Sequence, residues 1–140
     1  MRRLLATLLV TALAPSALQA EVAMVHPSVM ATDLSMDRVR DMLVGRISTW
    51  PDGKPVVLVL INDHANNAAL LKVTERDTTR LLRGWKRLVY SGTGAMPLVA
   101  ATPADAARMV AERPGAFALI EAPITGVSCR FLPCYHQADR

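Results

Sequence analysis

Leu-Ser-Met-Asp-Arg-Val-Arg-Asp-Met-Leu-Val-Gly-Arg-Ile-Ser-Thr-Trp-Pro-Asp-Gly, residues 34–53, contains a helix with signals at both ends, followed at once by a turn. Ser35 can cap the first N–H groups of a helix over 36–44 with its hydroxyl. Val39, Met42 and Leu43 then share one face at helical spacing. Gly45 is a natural stop, because glycine enters the left-handed conformation that ends a helix without a Cβ penalty. Pro51-Asp52-Gly53 turns the chain into Val56-Val57-Leu58-Val59-Leu60-Ile61. That run lacks the polar alternation of a half-exposed strand, so both its faces are expected to be buried, as in a central strand with helices on each side.

The flanking sequence extends the pattern. Residues 22–26 form a short apolar run closed by Pro27, a first buried strand. Residues 62–67 are expected to be a polar loop, and 68–76 and 78–90 helices, the second with Leu81, Leu82, Trp85 and Leu88 on one face. A short strand is expected over 96–101. Thr102 as N-cap, Pro103 at the first helical position and Asp105 in the first turn start another helix, which runs to about Glu112. Pro114-Gly115 ends it, and 116–121 is the last core strand. Strand, helix, strand, helices, strand, helix, strand is an α/β order. Residues 21–122 are thus expected to form one α/β domain with a single core, and 123–140 a C-terminal tail.

Three segments in order, 34–53, 85–94 and 113–122, resemble one lobe of the periplasmic phosphate-binding proteins, the substrate-binding proteins of phosphate ABC transporters. Residues 34–53 are similar to that family's helix and turn, with Arg46 where Lys is usual. Gly84-Trp85-Lys86 with Ser91-Gly92-Thr93-Gly94, and Arg113-Pro114-Gly115-Ala116, are similar to its Trp…Gly-Thr-Gly and Pro-Gly-Ala stretches. The resemblance implies a single lobe of a type II periplasmic binding fold, with a central mixed sheet flanked by helices. It also implies a ligand loop, an Arg followed by Asp-Gly-Ser-Gly-Thr at a helix N-terminus, where unpaired amides and the positive helix end stabilise an oxyanion. Here that loop is Ile61-Asn62-Asp63-His64-Ala65-Asn66-Asn67. Asp63 stands at the family's Asp and Asn67 at its Thr, whereas Ile61 or Asn62 occupies the Arg position and Ala65 replaces the Ser. The family's other lobe is expected to have no counterpart in these 140 residues.

Arg2-Arg3, an apolar run over 4–14 broken by Pro15, and Ser16-Ala17-Leu18-Gln19-Ala20 have the form of a secretory signal. A periplasmic or secreted protein with no stable membrane span after cleavage is expected, since the run is shorter than the roughly 20 residues that cross a bilayer. Residues 1–20 hold two of the 16 Lys and Arg and none of the 12 Asp and Glu, so without them the formal charge falls from +4 to +2. Arginines are scattered among acids at 37–41 and 75–77, as on solvated helix faces, and no basic cluster with interleaved aromatics points to nucleic acid. In an oxidising compartment Cys129 and Cys134 are expected to form a disulfide that pins the tail. The competing reading, metal binding with His136, needs three or four converging ligands, and His26 and His64 lie far off in sequence.

Asn62, Asp63, His64, Asn66 and Asn67 are the candidate ligand-binding residues, since all offer side-chain donors or acceptors at an expected helix N-terminus. The same residue types serve turns and caps. His64, charged below the ordinary imidazole pKa of about 6.5, could partly replace the missing Arg. Ser91-Gly92-Thr93-Gly94 follows a helix, where an anion nest should precede one, so it is expected to be a C-terminal cap. Trp50 and Trp85 are expected in the core rather than as stacking platforms. No nucleophile elbow, paired carboxylates or metal-ligand set is present, so neither catalysis nor a cofactor is expected. Two functions remain: recognition of a small anion or polar solute in the envelope, and an interaction module that contacts another envelope protein. For the second, Phe131, Leu132 and Tyr135, held by the expected disulfide, are the candidate docking patch. A homodimer with two lobes facing each other could serve both.

Overall fold

The unalternating run at 56–61 does become a strand buried on both faces. The computed structural model describes residues 21–136, so the expected signal segment and the last four residues lie outside the described residues. The chain runs through β1 (Val22–Val25), β2 (Leu34–Ser35), α1 (Met36–Leu43), β3 (Val57–Ile61), α2 (His64–Thr74), α3 (Thr78–Tyr90), β4 (Leu98–Ala100), α4 (Pro103–Glu112), β5 (Ala116–Ile120) and β6 (Arg130–Tyr135). One mixed sheet of six strands has the order β2-β6-β1-β5-β3-β4. β3 is parallel to β4 and β5, β2 is parallel to β6, and β1 runs antiparallel to both β5 and β6.

Successive residues of a strand point to opposite faces, and the side chains sort accordingly. Leu58 and Leu60 of β3 with Phe117 and Leu119 of β5 face α1, α2 and α3, joined by Val39, Met42, Leu43, Leu70, Leu81 and both tryptophans. Val59, Ile61, Ala116, Ala118 and Ile120 face α4, which answers with Ala106, Ala107 and Val110. The alanines on that side let a single helix sit close to the sheet, while the larger residues on the other side fill the space beneath three helices.

The local signals explain most boundaries. The Ser35 hydroxyl accepts from the Arg38 N–H (3.2 Å), and Thr102 does the same for Asp105 (3.2 Å) with Pro103 in the first turn. Both tryptophans are core residues whose indole N–H groups find carbonyls: Trp50 donates to Gly115 (2.9 Å) and Trp85 to Leu43 (2.9 Å). Ser91 to Gly94 is a helix-ending turn, with the Ser91, Gly92 and Thr93 N–H groups donating to the carbonyls of Arg87, Val89 and Leu88.

Three expectations are corrected. First, α2 begins at His64 rather than after the polar run, because Asp63 caps it: its carboxylate accepts from the Asn66 N–H at 2.8 Å. Secondly, part of the segment set apart as a tail is β6, which pairs with β1 along 130–133 and with β2 at 134–135, inside the sheet. Thirdly, Cys129 and Cys134 are free thiols. Cys134 lies in the core beneath the three helices, whereas Cys129 is on the α4 side with its Sγ 3.3 Å from the Ala107 carbonyl oxygen. Five residues of extended chain span roughly 16 Å, whereas a disulfide needs Cα atoms within about 7 Å. The expected docking patch disappears with the disulfide, since Leu132 is buried and Phe131 packs against the α4 layer.

Burial pushes the Cys129 thiol up. It pushes the Cys134 thiol from an ordinary 9.0 to about 12, with the Glu21 carboxylate adding to the rise and a hydrogen bond from the Ala23 backbone opposing it. A pKa raised on folding means that the buried, protonated thiol favours the native state fully below pH 9 and that this contribution is lost as the pH climbs to about 12. Urea unfolding should therefore show the wild type losing stability over that window, by at most about 1.4 kcal/mol per pH unit from this group. Cys134→Val should lack that component, and parallel curves for the two proteins would contradict it.

Candidate functional site

β3 and β4 are parallel neighbours, and their carboxyl ends lead to opposite sides of the sheet. After β3 the chain enters α2, which packs Leu70 and Val73 on one face. After β4 it enters α4, which packs Ala106, Ala107 and Val110 on the other. Strand order reverses here as well: from β3 the chain goes outward to β4, then back across β3 to β5. In open α/β sheets such a switch point leaves a crevice beyond the strand ends, where ligands bind. A hydrogen bond from the Asn62 N–H to the Ala100 carbonyl (2.8 Å) ties the two strand exits together.

The five candidate residues lie between the end of β3 and the first turn of α2, in different roles. Asp63 Oδ1 accepts from both the N–H and the side-chain amide of Asn66, at 2.8 and 2.7 Å. Its carboxylate thus stands at the positive end of α2, the position an incoming anion would seek. Asn67 donates to Asn62 Oδ1 (2.8 Å), and its own Oδ1 accepts from the Thr78 N–H (3.0 Å) and hydroxyl (2.6 Å). It is a clasp between the starts of α2 and α3. Asn66 is buried, and its Oδ1 has no hydrogen-bond partner among the described residues. An orphaned buried acceptor costs about 1–3 kcal/mol.

Asn62 and His64 stand exposed. With them are the first-turn N–H groups of His64 and Ala65, which an α-helix leaves without internal partners. The start of α2 therefore presents exposed polar groups around a carboxylate already in place. Capping explains Asp63 and Asn67, and the groups left for a solute are Asn62, His64 and the two amides.

A larger recess, of about 400 Å³, lies at the other end of β3, lined by Met42, Ile47, Val56, Leu58, Trp85 and Met96. It is apolar and has no ionisable group in its wall. Among the described residues no set of three or more His, Cys, Asp or Glu side chains could hold a metal ion. No described helix is long and apolar enough to cross a membrane.

Sequence reasoning missed one feature. Arg76, Arg80, Arg83 and Arg87 line a single recess on the outer face of α3, together with Gly84. The signal was available: spacings of four, three and four, with no acidic residue anywhere in 78–104. It was masked by the acids at 75 and 77, of which Asp77 caps α3 by accepting from the Arg80 N–H (2.9 Å).

No family model and no curated protein matches the sequence. Solved structures do match the fold. One is from Clostridium perfringens, described as a phosphate ABC transporter substrate-binding protein with bound phosphate, at a TM-score of 0.61 and 13% identity. Another is an ABC-type phosphate transport receptor from Vibrio cholerae, at a TM-score of 0.57 and 14% identity. Each alignment covers 82% of this chain but only 44% and 46% of the neighbour, so the chain spans less than half the length of these structures. The mixed sheet with its flanking helices is the fold of part of a periplasmic binding protein.

Proposed function

We propose that the chain is an exported, non-catalytic binding protein that takes a small polar solute or anion at the crevice beyond β3 and β4. The observation that carries this reading is the α2 N-terminus at the switch point, where the His64 and Ala65 amides and the Asn62 and His64 side chains are open to solvent. The arginine-rich, then apolar, then small-residue opening of the sequence supports export. The bound phosphate of the Clostridium neighbour makes oxyanions the first probes. Two features of this chain weaken an anion relative to a neutral polar solute: the Asp63 carboxylate at the helix end, and no arginine at 61–67. An exposed site leaves its ligand half-solvated, so weak binding is expected.

Thermal-shift titration of the full chain against phosphate, sulfate and small polar solutes, at pH 6 and pH 7.5, tests this. At a hundred times its dissociation constant a ligand of the native state adds about 2.7 kcal/mol. His64→Pro is the informative variant. Proline is tolerated at the first helical position and removes one amide donor with the imidazole. Asp63 already has the extended backbone (φ −122, ψ 172) that a residue before proline requires. The expected result is a saturable shift in the wild type that His64→Pro abolishes while keeping the wild-type melting temperature without ligand. A flat response across the panel would refute solute binding by this chain and turn attention to its contacts with other envelope proteins.

A further inference from the structure

The helix α3 is amphipathic, with Leu81 and Trp85 buried against the sheet and Arg80, Arg83 and Arg87 exposed on the opposite side. From 80 to 87 the row covers roughly 10 Å at 1.5 Å per residue. Arg76, just ahead of the helix, adds a fourth guanidinium that folds back onto the row at Gly84. None of the four guanidinium groups is ion-paired with a carboxylate among the described residues, although Arg40, Arg46, Lys72 and Arg108 are. Four like charges held in a row repel one another and have no internal reason to be collected there.

Gly84 sits at the centre of the row, and the fold does not require it. Its backbone is not in the left-handed region. A Cβ built on it would meet no core atom, the nearest neighbour being Arg76 Nη1 at 3.4 Å. Glycine inside a helix costs stability relative to alanine. What it provides is a floor: a recess of about 190 Å³ lined by Gly84 and the four arginines. The Arg76 guanidinium folds over it.

We propose that this recess binds a linear phosphoanion, two or more phosphate groups in a row as in a condensed phosphate chain. Guanidinium groups present paired N–H donors that match phosphate oxygens. A row of positive charges on a narrow face matches a row of negative ones better than a single compact ion, which could neutralise only part of it. A protein partner is disfavoured because stable interfaces have an apolar centre, and no apolar side chain lines this recess. A lipid surface is disfavoured because surface-lying helices insert their apolar face, and that face of α3 is buried in the protein's own core. Nucleic acid would need aromatic platforms along the row; Tyr90, 92% exposed, stands only at its end. The recess uses no residue of the crevice at α2, so it stands or falls independently of the solute-binding reading.

Isothermal titration of the full chain with tripolyphosphate tests the assignment, with citrate, anionic phospholipid vesicles, an acidic peptide and an oligothymidylate as comparisons. The expected result is saturable binding of tripolyphosphate that weakens steeply with salt and is at least tenfold weaker in Arg80→Gln/Arg83→Gln. Gly84→Leu separates binding from folding: leucine favours a helix over glycine and its Cβ meets no core atom, so the melting temperature should hold or rise, while the side chain fills the floor of the recess and should weaken tripolyphosphate binding severalfold. The proposal is overturned if tripolyphosphate does not bind, if the double variant stays within twofold of the wild type, or if Gly84→Leu binds equally well. Tighter binding of vesicles, peptide or oligonucleotide than of tripolyphosphate would likewise overturn it and name the surface's true partner class.

Discussion

Replacing Phe117 by Ala is expected to lower stability by about 3–5 kcal/mol, the usual cost of emptying a large buried aromatic site. Phe117 is fully buried in β5, which lies between β1 and β3 in the sheet. Its ring meets Trp50 edge to face, with centroids 6.3 Å apart and planes at 89°, an arrangement that contributes beyond the buried area. The neighbours cannot close the gap cheaply. Trp50 is held by its hydrogen bond to the Gly115 carbonyl, and the flanking strands are held by their ladders. Against a total stability of about 5–15 kcal/mol for a domain of this kind, the variant should be marginal at room temperature. Urea unfolding would show a lower midpoint with an unchanged slope, and Phe117→Leu should lose distinctly less. A loss under about 1 kcal/mol for Phe117→Ala would mean that the layer beneath α1, α2 and α3 is not packed as described.

Gly115→Ala should cost about 3 kcal/mol, from two sources. Gly115 has φ +81, and a left-handed conformation costs a residue with a Cβ about 1–2 kcal/mol. The added Cβ would also clash with the Pro55 carbonyl oxygen, a backbone atom that cannot swing aside. Relief requires moving Pro55 away. The Gly115 carbonyl accepts from Trp50 Nε1 (2.9 Å) and from the Val57 N–H (3.1 Å), so the entry of β3 into the sheet moves with it. Gly53 provides the control, because its φ of +86 is similar but open space surrounds its Cβ position. Gly53→Ala should therefore show only the conformational part, about 1 kcal/mol. Equal losses for the two variants, measured by thermal unfolding, would rule out the backbone clash.

Much of this architecture can be read from the sequence because its determinants are local. Ser35 and Thr102 with Pro103 each mark a helix start by a side chain reaching three residues ahead. The run at 56–61 declares its double burial by lacking alternation. Where the reading failed, the deciding contact was distant in sequence. Arg130-Phe131-Leu132-Pro133-Cys134-Tyr135 has a proline in its middle and no turn to pair it with a sequence neighbour, so nothing local marks it as a strand. β1, more than a hundred residues earlier, supplies its partner. The disulfide was expected from two cysteines near each other in sequence, but an extended strand separates them along the chain and turns them to opposite faces. After β3, residue types marked a polar segment ahead of a helix but started that helix at 68 instead of His64. They could not show that Asp63 caps it or that Asn67 reaches Thr78.

By itself the sequence determined the identity and order of the central elements and the placing of both tryptophans in the core, because caps, periodicity and apolar runs act over a few residues. Only the tertiary structure decided the six-strand order, the incorporation of β6, the separation of the thiols by the sheet, and the meeting of the α2 and α4 starts at one edge. It also set Arg76 beside the arginines of α3. Such outcomes depend on which buried surfaces meet when the chain closes on itself, and hydrophobic burial, being non-directional, leaves no local mark of its eventual partner.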